Sequence, residues 1–122
     1  MDLHEVDYDG ALPFDGYGPG FFRVGGKVHD GALLACGTDV AAWDGLSDDA
    51  PLLRLAGVVD IILLGMGAEI AHPPAGLRLA VEEAGIGLEI MSSPAACRTY
   101  NVLIGEGRRV AAAVLPVGPA PE

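Results

Sequence analysis

The sequence is short of several things, and each shortage excludes something. It holds two cysteines in 122 residues, Cys36 and Cys97, far apart and in no CxxC pair. A disulfide framework is therefore not expected, and a structural zinc site, which needs about four closely spaced ligands, has no donor set. Both thiols read as reduced and buried, as free cysteine usually is. Basic side chains number seven against seventeen acidic, for a formal charge of −10. Nucleic-acid binding draws its affinity from Lys and Arg, so that class is excluded, as is attraction to anionic membrane surfaces. The longest apolar stretch, 58–68, contains Asp60 and falls well short of the ~20 residues of a membrane-spanning helix. Direct membrane insertion is therefore not expected. The acidic start Met-Asp-Leu-His-Glu-Val-Asp has neither the basic n-region of a secretory signal nor the Arg-rich character of a transit peptide, and the expected location is cytoplasmic.

What is present is apolar. Half of the residues are hydrophobic, which argues against wholesale disorder, and the length suits one domain. The expected division is an acidic flexible arm over 1–12, a single α/β domain over 13–116 and a Pro-rich tail over 117–122. The dense glycines and proline of Asp15-Gly16-Tyr17-Gly18-Pro19-Gly20 predict irregular backbone. Phe21 to Val24 and Lys27 to His29 read as strands joined by Gly25-Gly26, a two-residue hairpin turn. Ala32 to Cys36 and Val40 to Trp43 are apolar runs of strand length. Ser47, followed by Asp48 and Asp49, reads as the cap of a helix carrying Leu52, Leu53 and Leu55 and stopped by Gly57.

Val58 to Leu64 shows little alternation, the pattern of a strand buried on both faces. A helix opened by Pro73-Pro74 runs to about Ala84, with Gly85 as its stop. Ile86 to Met91 is the next strand. Ser92-Ser93-Pro94 starts a further helix, serine as cap and proline at its first position, running to about Glu106. Val110 to Leu115 is the last strand. Alternation of strand and helix predicts helices packed across a sheet, with strands 59–64 and 86–91 parallel and the first half adding hairpin strands to make the sheet mixed.

In open α/β sheets ligands sit beyond the carboxyl ends of the parallel strands. Those ends carry Gly65-Met66-Gly67 and Met91-Ser92-Ser93, the second running into a helix N-terminus that favours an anion. Cys97, Arg98 and Asn101 follow within two turns, and a thiol near a positive helix end can have a lowered pKa. The candidate ligand-binding set is therefore Gly65, Met66, Gly67, Ser92, Ser93, Cys97, Arg98 and Asn101. The plainer reading keeps Asn101 as a pin for a neighbouring loop and Arg98 as the partner of a carboxylate such as Asp60 or Glu106. No complete catalytic signature is present, so no catalytic residue, metal or cofactor is assigned. Gly65-Met66-Gly67 lacks the third glycine of a dinucleotide fingerprint, and its helix opens too late to cradle a pyrophosphate. His4, His29 and His72 stand by no nucleophile turn. Trp43 reads as core, with an interface role as the alternative.

Four segments occur in order: Phe14-Asp15-Gly16-Tyr17-Gly18-Pro19-Gly20-Phe21, Leu63-Leu64-Gly65-Met66-Gly67, Ala95-Ala96-Cys97-Arg98-Thr99-Tyr100-Asn101 and Glu106-Gly107-Arg108-Arg109-Val110-Ala111-Ala112-Ala113. Together, over about residues 12 to 116, they resemble the MTH-domain family, a domain of unknown function that includes mitochondrial complex I assembly factor three and the adipogenesis-associated MTH-domain protein. The resemblance implies a three-layer α/β sandwich with a central mixed sheet, helices packed on it and an N-terminal β-hairpin. It implies no established enzyme activity, and a role in assembly on membrane-bound respiratory complexes. This chain has Met66 and Ser93 where that family often has Thr, which weakens a substrate-binding role for the turn. Arg outnumbers Lys six to one in an Ala/Gly-rich background, which suits a bacterial member. The expected function is a non-enzymatic binding or assembly module with a protein partner. The alternative is a small-molecule or anion-binding protein, or an uncharacterised enzyme, with a pocket at the carboxyl ends of strands 59–64 and 86–91. A homodimer through the hairpin edge or Trp43 is a third expectation.

Overall fold

The computed structural model describes residues 10–119, so most of the expected N-terminal arm and the last three residues lie outside the described part. Eight strands and three helices follow in the order β1 (Phe14–Gly18), β2 (Phe21–Val24), β3 (Lys27–Asp30), β4 (Leu33–Cys36), β5 (Asp39–Ala42), α1 (Ala50–Leu53), β6 (Ile61–Gly65), α2 (Ala75–Glu83), β7 (Gly87–Met91), α3 (Ser93–Gly105) and β8 (Val110–Val114). The expected α/β architecture is found. A five-stranded mixed sheet has the order β5-β4-β8-β6-β7, with β6 parallel to both neighbours and β4 antiparallel to β5 and β8. A separate antiparallel sheet of order β1-β2-β3 contains the expected hairpin, whose Gly25 and Gly26 both have positive φ, 57° and 81°. Two-residue hairpin turns need that conformation, which costs glycine least.

Side chains alternate between two cores. Leu63 of β6 and Val110, Ala112 and Val114 of β8 face α3 and the aromatic residues of β1 and β2. Ile62 and Leu64, with Ala111 and Ala113, face Trp43, α1 and α2. This two-sided burial is why residues 61–64 and 110–114 read as continuous apolar runs. Burying each large side chain contributes about 1.5–3 kcal/mol. The alanines of β8 keep the middle of the sheet thin where layers close on both faces.

Three local expectations are corrected. The glycine-rich stretch is not irregular: it is strand β1, paired with β2 through a register shift between Phe14 and Gly16. Glycine suits Gly18 because the Phe21 ring lies within 2.4 Å of where a Cβ would stand. The helix expected from Ser47 begins at Ala50, with no side-chain cap bond. Pro51 decides this, since a helix begun at Asp48 would need a fourth-residue N–H that proline lacks. Residues 45–48 instead form a turn, Asp48 N–H donating to the Gly45 carbonyl at 2.9 Å. In α3 the proline stands at the second helical position, not the first, because Ser92 is the cap and Ser93 already helical. Trp43 is buried, its Nε1–H donating to the Asp48 carbonyl at 2.8 Å, so it offers no surface to a second copy.

Candidate functional site

The carboxyl ends of β6 and β7 meet the start of α3 at one rim of the mixed sheet, and Gly65, Met66, Gly67, Ser92 and Ser93 come together there. Met66 N–H donates to the Met91 carbonyl at 2.9 Å, continuing the parallel ladder by one step. Gly67 and Ser93 bind reciprocally: Ser93 N–H donates to the Gly67 carbonyl at 2.7 Å, and Gly67 N–H donates to Ser93 Oγ at 2.9 Å. The Ser93 hydroxyl then donates to the Leu115 carbonyl at 2.6 Å, while Leu115 N–H donates to the Gly65 carbonyl at 2.9 Å. One hydroxyl thus ties the ends of β6, β8 and α3, and Ser93 is fully buried. Gly65 permits the closeness: a Cβ there would stand 2.7 Å from Ser93 Oγ, 2.8 Å from Ser93 Cα and 2.8 Å from Val114 Cγ1. Ser92 caps α3, its Oγ accepting from Ala95 N–H at 3.3 Å. The rim amides that could have faced an anion are largely paired within the chain.

Cys97, Arg98 and Asn101 lie one to two turns further along α3 and face β1 rather than the glycine turn. Asn101 spends both ends of its amide on one residue: Nδ2–H donates to the Phe14 carbonyl and Oδ1 accepts from Phe14 N–H, each at 2.8 Å. It serves β1 as a short stretch of strand would. Tyr100, buried beside it, stacks edge-on with Phe14 at 5.5 Å between ring centres, and its hydroxyl accepts from Gly37 N–H at 3.0 Å. Burial pushes the Tyr100 hydroxyl up to about 12, against the opposing hydrogen bond from Gly37. Burial likewise pushes the Cys97 thiol up to about 12, and nearby Arg98 only moderates this. The expectation of a lowered thiol pKa is corrected: Cys97 points into the core, where desolvation outweighs the helix end.

Arg98 is exposed and forms no ion pair among the described residues. The carboxylate expected to hold it, Asp60, instead pairs with Arg109 at 2.7 Å, which holds the Asp60 carboxyl below its usual range. Arg98 and Asn101 line a groove of about 190 Å³ closed on the other side by Phe14, Asp15 and Tyr17. Asp15 accepts from Gly26 N–H, which anchors the hairpin tip to β1. A groove of about 450 Å³ lies elsewhere, along β7. Sequence reasoning missed the Leu115 carbonyl and the Phe14 backbone, because a backbone partner leaves no residue-type signal. Among the described residues no group of three or more His, Cys, Asp or Glu is placed to hold a metal ion, and no helix is long and apolar enough to cross a membrane.

Comparison with known proteins agrees with this architecture. Residues 14–115 match the family described as "Protein of unknown function (DUF498/DUF598)". An uncharacterized protein of Rhodobacter capsulatus is 54% identical over 117 residues, covering 96% of this chain and 94% of that one. The rat NADH dehydrogenase [ubiquinone] 1 alpha subcomplex assembly factor 3 is 26% identical over 95% of this chain and 66% of its own length, so the chain spans just under two thirds of that protein. A solution structure of a Mth938-like domain from Bordetella pertussis superposes with a TM-score of 0.79 at 25% identity, covering 98% of this chain and 95% of that domain.

Proposed function

The chain belongs to the DUF498/DUF598 family of proteins of unknown function, and from that membership we propose that it is a non-enzymatic binding module acting in the assembly of a respiratory membrane complex. The observation that carries this reading is the alignment of 95% of the chain with a protein named as an assembly factor of NADH dehydrogenase. The shared region is the folded unit itself. The rim geometry supports the same reading. Where many α/β proteins hold a ligand, Gly67, Ser93 and Leu115 satisfy one another, and Asn101 is committed to Phe14. Polar groups already paired at short distance gain little from a ligand that must first displace the partner.

The module works as a rigid surface in the cytoplasm that holds a partner protein. Affinity capture of the full chain from its native cells at near-native salt tests this. Components of a membrane respiratory complex are expected among the captured proteins, and recovery of background proteins alone overturns the reading. Fractionation of the same cells tests the location.

One observation favours a second reading, an anion or small-molecule site at Arg98 and Asn101, apart from the rim of Gly65, Gly67 and Ser93. Exposed Arg98 stands at the mouth of the groove between α3 and β1, without an ion-pair partner among the described residues. Thermal shifts across a panel of anionic metabolites decide it. Shifts that disappear in Arg98→Ala support the site, and equal shifts in both proteins remove it.

A further inference from the structure

Strand β7 is one of the two outer strands of the mixed sheet, and among the described residues it pairs only with β6. Two hydrogen bonds fix the phase of its ladder. Gly87 N–H donates to the Asp60 carbonyl, and the Met91 carbonyl accepts from Met66 N–H, each at 2.9 Å. In a parallel ladder the residues that bond one neighbour alternate with those that point away. Gly87, Glu89 and Met91 therefore turn their backbone groups to β6, and Leu88 and Ile90 turn N–H and C=O outward. A groove of about 450 Å³ borders this strand, lined by Leu88, Glu89 and Ile90 together with Ile70, His72 and Arg78. Ile70 is 67% exposed, and Leu88 and Ile90 are only half-buried although they lie on the face packed by α2.

Natural sheet edges are commonly blunted by proline, lysine, a bulge or a covering loop. Strand β7 has neither proline nor lysine, and its register with β6 is unbroken over five residues. Its charge is Glu89, which has no cation within ion-pair distance among the described residues, while Arg78 of the same groove is engaged by Glu82 at 3.6 Å. This selects the occupant. A second copy pairing antiparallel about the middle of β7 would set Glu89 against Glu89, a destabilising cross-strand pair.

We propose that the free edge of β7 receives an extended segment of a partner protein as an added strand, with apolar side chains level with Leu88 and Ile90 and a Lys or Arg between them level with Glu89. This rests on the reading of the chain as an assembly module and names the surface and the chemistry of its partner. Four outward backbone groups supply affinity, and the alternation of apolar and basic residues supplies specificity.

The test uses the full chain and two capped peptides, Thr-Val-Lys-Val-Thr and Thr-Val-Glu-Val-Thr, followed by residue-resolved amide exchange. The lysine peptide is expected to slow exchange at Leu88 and Ile90. Glu89→Lys is expected to reverse the preference, so that the glutamate peptide binds about fivefold more tightly than the lysine one. Absence of protection at these two amides at millimolar peptide overturns the proposal, as does an unchanged preference in Glu89→Lys. Protection that appears with protein concentration alone, together with dimers in sedimentation, overturns it in favour of a second copy. Ile90→Pro removes an N–H that points away from β6, so it spares the β6–β7 ladder. Captured partners that still bind Ile90→Pro remove the edge proposal and leave the assembly reading standing. Empty capture with peptide protection at Leu88 and Ile90 removes the assembly reading and leaves the edge a peptide-binding groove.

Discussion

Ser93 and Gly65 form one device, and neither works alone. The hydroxyl of Ser93 accepts from Gly67 and donates to Leu115 in a fully buried place, so its loss leaves a donor and an acceptor with no partner. Ser93→Ala is expected to cost about 1–3 kcal/mol in denaturant unfolding. Gly65→Ala inserts a methyl at 2.7–2.8 Å from three atoms of Ser93 and Val114. The backbone of Ser93 cannot swing aside as a flexible side chain would. A loss of about 1–3 kcal/mol from overpacking is expected, read from the same unfolding midpoint. Gly65 and Ser93 both stand out in the sequence, because a glycine after a buried strand and a serine before a helix are local signals. Their purpose was not visible, since it depends on Leu115, which is 22 residues from Ser93 in sequence.

Helix α3 connects the two sheets. Its buried residues Ala96, Cys97, Tyr100 and Ile104 pack on β6 and β8, and Asn101 holds β1 at Phe14. Asn101→Ala frees both backbone groups of Phe14. The expected result is faster amide exchange in β1, Phe14–Gly18, with the β6–β7–β8 ladders still protected, and about 1–3 kcal/mol lost in global stability. Retained protection in β1 would show that its pairing with β2 and the Phe14 ring contacts suffice. The start of α3 was legible because its cap and proline act within four residues. The start of α1 was misread because Pro51 overrides the stronger-looking Ser47 signal. Strand β1 is not legible because Gly18 answers to the neighbouring strand, where the Phe21 ring occupies the space a side chain would need.

At the scale of the whole fold, Cys97 and Tyr100, held neutral in the core, make stability sensitive to alkali. Each has its pKa raised to about 12 from ordinary values of 9.0 and 10.0. A raised folded-state pKa means that the stabilisation is complete below the unfolded value and is lost as pH rises through the folded one. The unfolding midpoint is therefore expected to hold up to about pH 9 and to fall between about 9 and 12, each group contributing up to about 1.4 kcal/mol per pH unit. Cys97→Ala removes the onset of this slope and lowers it throughout, whereas Tyr100→Phe lowers only the part above about pH 10. An unchanged slope in both variants shows that the thiol and hydroxyl are not what the alkaline transition titrates.

By itself the sequence determined the things that depend on neighbours along the chain. These are the alternation of strands and helices, the turn at Gly25-Gly26, the cap at Ser92 and the two-sided burial of the strands around Ile62 and Ala112. Each follows from backbone stereochemistry or hydrophobic periodicity within a few residues. Tertiary structure alone decided what the polar groups do: that Ser93 closes the rim, that Asn101 serves Phe14, that Asp60 takes Arg109 rather than Arg98, and that β7 is left as an edge. Hydrogen bonds to backbone and the order of strands in a sheet join residues distant in sequence, and no local pattern encodes which of them will meet.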